Sequence, residues 1–168
     1  MTQPHQQPPA APAEAGTQQS RFRPALMGVA FSLGVILAVL GTALHGNIIM
    51  IGTVDEGTPI LWGAALALLI CLLAQLWMGL QADSLLESTV MGITIFTVTT
   101  AAYMWWGPDQ LMVPYSPETM DALPGPTLAS LVWWLGSAGV ALLAMVLIRW
   151  ILVRDAASRA VQDPVQPR

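Results

Sequence analysis

The chain has 168 residues, 55% of them hydrophobic and 10% charged, with a formal net charge of −4. An ordinary soluble domain carries roughly a quarter charged residues, so a mean hydropathy of +0.61 sets aside a soluble globular enzyme and a disordered chain. All 6 basic residues are arginines near the two ends, which leaves no basic stripe for nucleic acid, and the single cysteine, Cys71, excludes an intrachain disulfide or a cysteine-built zinc site.

In chain order, residues 1–24 come first, rich in Pro, Gln and Ala without apolar periodicity, and they predict a disordered tail. The stretch up to Ser20 holds Glu14 and no basic residue, unlike the start of a signal peptide. Gly41-Thr42-Ala43 could pass for a cleavage signal, but the small-residue pattern of the segment argues for a retained helix.

A membrane-crossing helix needs about 20 apolar residues, and four stretches meet that length. The first runs over 25–44, directly after Pro24, and carries Ala30, Gly34, Ala38 and Thr42 at four-residue spacing on one face. A loop over 46–59 follows, with Asp55 and Glu56, and Ile48–Ile51 extends the first span outward. The second span, 60–80, is opened by Pro59 and carries Gly63, Ala67, Cys71, Gln75 and Gly79 in the same register. Helices in lipid associate through close backbone approach and polar contacts, so these two stripes are predicted to pack on each other as helix-packing surfaces. Gln75 reads as an interhelical hydrogen bonder, worth about 0.6 kcal/mol, with a ligand role as the alternative, and Cys71 as a small packing residue.

A short loop over 81–88 holds Asp83, Ser84, Glu87 and Ser88 without a histidine to act as base. The third span, 89–106, carries Thr94, Thr97 and Thr100, whose hydroxyls can return to their own backbone. A polar path for a solute is the alternative. Gly107-Pro108 stops it, and the loop over 107–126 contains Pro108, Pro114, Pro117, Pro124 and Pro126, which prevent a long helix. Leu111-Met112-Val113 and Tyr115 give that loop apolar weight; it reads as an interfacial connector, with a binding role as the alternative. The fourth span, 127–148, includes Gly136, Ser137, Gly139, Ala141 and Ala144, and the membrane domain ends at Val153, before a polar tail over 154–168.

Orientation follows from the arginines. Arg21 and Arg23 precede the first span, Arg149, Arg154, Arg159 and Arg168 follow or end the last, and the loops at 46–59 and 107–126 hold only acids: Asp55, Glu56, Asp109, Glu118 and Asp121. The positive-inside rule puts both termini in the cytoplasm and both loops outside. The expectation is an all-α, integral-membrane four-helix bundle, multi-pass in the cell membrane. Trp62, Trp105, Trp106, Trp133 and Trp134 fall near the outer span ends, and Trp77 and Trp150 near the inner ones, as interfacial belts require.

Proton and ion pathways normally need intramembrane acids, His or Lys, and none of these four cores has one. A phosphate loop, a nucleophile elbow and a His-Glu-x-x-His helix are missing too, so no catalytic residue, cofactor or metal is assigned. One polar outer site stands out: His45 with Asp55 and Glu56, beside Asn47. His45 reads as a hydrogen-bonded interfacial anchor, and metal or proton ligation is the alternative.

The small-residue first span from Gly28 to Gly41, the run Pro59-Ile60-Leu61-Trp62-Gly63 opening the second, the Trp-rich end of the third and the Pro/Gly-rich loop before the fourth resemble a family of short four-span membrane proteins of high-GC actinobacteria. Members of that family are often encoded beside the deacetylase of mycothiol synthesis, and its function is not established. The resemblance implies the four-span layout over about 25–150 and supplies no catalytic residue; His45 and the Asp55-Glu56 pair have no match in it. The sequence thus predicts a non-enzymatic accessory or scaffold subunit, with the lipid bilayer and a membrane-protein partner or a second copy as its contacts. The alternatives are a small oligomeric transporter or channel for a neutral or lipophilic solute, and a membrane enzyme using His45.

Overall fold

A computed structural model describes residues 24–52 and 57–162. The tail before Pro24, the loop tip with Asp55 and Glu56, and residues 163–168 lie outside the described residues. The chain is mostly helical, and four helices are long and apolar enough to cross a membrane by length and composition.

Helix α1 spans Pro24–His45. Proline suits this opening position because its missing N–H is one that a first turn leaves unpaired anyway. Asn47 closes the helix by donating both its backbone N–H (3.0 Å) and its side-chain amide (2.9 Å) to the Leu44 carbonyl. The next residues do not extend α1 as the sequence suggested. Ile49–Ile51 forms strand β1, antiparallel to β2 at Thr58–Ile60, with Ile49 opposite Ile60, Met50 opposite Pro59 and Ile51 opposite Thr58. β-Branched side chains favour the extended backbone, and Pro59 is tolerated because a two-stranded ribbon is all edge.

Helix α2, Trp62–Ala82, therefore starts two residues later than the span read from sequence, since Thr58–Ile60 is taken by the strand. It ends with Asp83 in the left-handed region (φ 51°), where Ser84 N–H reaches the Gly79 carbonyl (3.1 Å) and Asp83 N–H the Leu80 carbonyl (3.3 Å). This is a Schellman stop in which Asp replaces the usual glycine. Ser84 then caps α3, Leu85–Tyr103, by accepting the Leu86 N–H. The third helix consequently begins four residues earlier than expected and stops before Trp105, drawing Glu87 and Ser88 out of the supposed loop and into the helix.

The 107–126 segment contains a short helix, α4 (Pro117–Ala122), with a reciprocal capping box between Ser116 and Thr119. Pro117 opens this helix. Pro124 and Pro126, which the sequence placed in a loop barred from forming a long helix, instead lie in the first turn of the next helix, where a proline costs no hydrogen bond. Helix α5 runs from Pro124 to Gln162, 39 residues, about 58 Å at roughly 1.5 Å per residue. It passes beyond the segment that the sequence marked as the fourth span and takes in much of the supposed tail. Every residue from Val153 to Arg159 is exposed.

The four long helices run alternately up and down. One end of the bundle carries the hairpin and α4; the other carries the α2–α3 turn. α1 packs most extensively on α3, and α2 on α5. α1 and α2 also touch, but the glycines show what their small faces admit. A β-carbon on Gly34 would lie 2.8 Å from Thr94 Cβ of α3; one on Gly41 would strike the Trp133 ring of α5, and one on Gly79 the Ile148 side chain of α5. Only Gly63 meets α1, against the Leu44 carbonyl. Small residues here make room for large ones, the usual route to interior packing density. The outward faces are apolar: Phe31, Val39, Leu73, Ile93, Leu142 and Val146 are all exposed.

Candidate functional site

The bundle's buried polar side chains fall into two sets. The first lies at the hairpin end, where α1 meets α5. His45, in the last turn of α1, is 5% exposed, so it points into the bundle. Its Nδ1 faces the Thr42 carbonyl. A carbonyl can only accept, so Nδ1 carries the proton, and Nε2 of the neutral ring accepts from the Ser130 hydroxyl at 3.2 Å. Ser130 in turn accepts the Val113 N–H at 2.9 Å, tying the long loop to the same node. Next to it, Trp133 donates its indole N–H to Thr42 Oγ1 at 3.2 Å and is fully buried against Gly41.

Residues far apart in the chain meet here. His45 and Ser130 are 85 positions apart, and the pair has the contact of a nucleophile with its base. Ser130 is 1% exposed, however, and its oxygen already holds the Val113 amide. The arrangement joins α1, α5 and the loop. Asp55 and Glu56, which the sequence set beside His45, lie outside the described residues. Among the described residues, no group of three His, Cys, Asp or Glu side chains could hold a metal ion.

The second centres on Gln75, where α2, α3 and α5 meet. Gln75 is 1% exposed and donates its amide to the Cys71 carbonyl of its own helix at 3.3 Å. Its Oε1 has no partner and sits against Gly92, whose missing β-carbon would lie 2.6 Å away. The expected interhelical hydrogen bond is not formed, because the facing surface is glycine and the Ala141 methyl group. Ser88 Oγ, one turn before Gly92, is also buried without a partner, as are Thr99 Oγ1 and Glu87 Oε2. Glu87 is a buried acid on α3 at 5% exposure.

The remaining sequence-marked residues have structural places. Ala30, Ala38, Ala67 and Cys71 are buried in the apolar core. In the threonine row, Thr94 donates to the Val90 carbonyl (2.8 Å), Thr100 Oγ1 accepts the Trp134 indole N–H (3.0 Å), and Thr97 is exposed. The row thus presents three different environments. Of the tryptophans expected at the interfaces, Trp62, Trp77, Trp105, Trp106 and Trp150 are exposed, whereas Trp133 is a core residue.

Sequence reasoning missed Ser130 and Trp133 as partners of α1, for no local pattern ties either to His45 or Thr42. Glu87 had a readable signal: Ser84-x-x-Glu87 is the spacing of a helix start. No protein-family profile, no curated protein and no solved structure matches this chain.

Proposed function

We propose that the chain is an integral membrane protein with four spans, α1, α2, α3 and the first part of α5, and both termini in the cytoplasm. In this reading it serves as a non-enzymatic accessory or scaffold subunit within a membrane complex. The orientation is supported in sequence by Arg21 and Arg23 ahead of α1, by Arg149, Arg154 and Arg159 late in α5, and by the segments 46–59 and 107–126, which hold acids and no basic residue. The observation that carries the role is the division of labour between inside and outside. Inside, Gly34, Gly41, Gly79 and Gly136 are filled by neighbouring side chains. Outside, long apolar side chains cover the helices along their length. Contacts to other molecules are then made by the outer faces and the extramembrane ends.

A solute path has less support, since Thr94 turns its hydroxyl to its own backbone and Thr97 faces outward. The test is purification of the full chain from native membranes in mild detergent through a tag at residue 1. A stoichiometric membrane protein that stays bound through size exclusion is the expected result. Recovery of the chain alone would overturn the subunit reading.

A further inference from the structure

The aromatic end of α3 forms a cavity that the scaffold role does not use. Its volume is about 310 Å³, and its walls include Tyr103, Trp105, Trp106 and Tyr115, with Met104 and Gln110. That size sits at the lower edge of small-molecule sites, about 300–1,000 Å³. Trp106 is 92% exposed, but the Tyr103, Tyr115 and Trp105 walls are held in place. Tyr103 stacks on Trp134 with ring centroids 4.5 Å apart and planes 6° from parallel, and its hydroxyl accepts the Tyr115 N–H at 2.9 Å. Trp105 folds back so that its indole nitrogen occupies the space a side chain at residue 107 would take, which Gly107 leaves free. Trp105 and Tyr115 nevertheless remain 60% and 58% exposed, so the cavity is open to an incoming molecule.

The loops around it carry one sign of charge. Asp109 adjoins the wall residue Gln110, Glu118 and Asp121 lie on α4, and the segment 107–126 contains no basic residue. The aromatic faces are negative in quadrupole and attract cations. No charged side chain is among the walls, so a small, strongly hydrated ion would lose water without a carboxylate to replace it. A methylated ammonium has little water to lose and can rest on the rings.

We propose that this cavity binds an organic cation of the quaternary-ammonium class, free or as a lipid headgroup, between the aromatic walls at the end of α3. The test uses the full chain in maltoside micelles, with tryptophan emission titrated by choline chloride against sodium chloride at equal ionic strength. The neutral isostere 3,3-dimethylbutan-1-ol is the comparator. A saturable response to choline alone is expected, and Tyr115→Leu, which keeps every tryptophan, weakens it about fivefold. No saturable response, an equal response to the isostere, or an unchanged affinity in Tyr115→Leu overturns the proposal. Repeating the titration in lipid nanodiscs identifies the source. A response in phosphatidylglycerol discs that disappears in phosphatidylcholine discs means the headgroup already fills the cavity, and a response in both means the free cation binds. Loss in both discs overturns the proposal.

Discussion

At the scale of single residues, the interior is set by where a β-carbon can and cannot go. Gly41 leaves the space that Trp133 fills, so Gly41→Val forces that ring to move. Overpacking of this kind costs about 1–3 kcal/mol. Gly28, which faces open space, is the control: Gly28→Ala should leave stability unchanged or raise it by up to about 1 kcal/mol. Thermal melts of the two variants in detergent should separate them clearly, and equal melting points would refute the Trp133 contact. Cys71 lies at 1% exposure one turn from Gln75. A small polar maleimide should therefore leave it unlabelled in the folded protein and label it fully after denaturation. Labelling in the folded state would mean that the Gln75 face is wet and would revive the solute-path reading. Glu87 keeps one carboxyl oxygen buried without a partner, which costs stability. Glu87→Leu removes that unpartnered oxygen at similar size, so its melting temperature should equal or exceed that of the parent; a marked fall would reveal a favourable contact for the carboxyl group.

At the scale of elements, the hairpin end depends on His45. Its ring links α1 to Ser130 of α5, and Ser130 links onward to Val113 of the loop. His45→Ala leaves the Ser130 hydroxyl without its acceptor, and a buried group orphaned in this way costs about 1–3 kcal/mol. Amide exchange should quicken at Val113 and in the first turns of α5 more than in α2. The small helix α4 has its own sensitivity. The Glu118 backbone N–H and the Ser116 hydroxyl hold the Glu118 carboxyl below its ordinary range. The charged form is thus favoured by the fold, so its contribution is present above the ordinary carboxylate pKa and is lost as pH falls through the lowered value. The Thr119 amide shift should follow that acid titration, and in Glu118→Gln it should not. Much of this level was legible beforehand. Apolar runs gave four helices, and Pro24 marked the start of the first; α5 opens at Pro124, three residues before the expected start at Thr127, and α3 stops at Tyr103, ahead of Gly107-Pro108. The ends were misplaced where short-range chemistry decides: Asp83-Ser84 turns the chain in two residues, and the isoleucines after Asn47 pair as a strand. The His45–Ser130 node was not legible, since it depends on how α1 and α5 cross rather than on any spacing within either.

At the scale of the whole molecule, apolar residues cover the outside as well as the inside, a distribution that water does not support and a bilayer does. Helix α5 is longer than a bilayer needs, about 20 residues, and its exposed end from Val153 carries Arg154 and Arg159, which the proposed orientation would set on the cytoplasmic side. The proposed role as a subunit rests on the proposed membrane placement, in which the packed bundle meets other molecules through its outer faces and ends. The most direct measurement is cysteine accessibility in intact cells, on a Cys71→Ala background, with a membrane-impermeant maleimide and single substitutions Ser20→Cys, Asp121→Cys and Ser158→Cys. The account predicts labelling of the Asp121→Cys protein from outside, and labelling of the other two only after the cells are opened. Labelling of Ser20→Cys or Ser158→Cys in intact cells would contradict it.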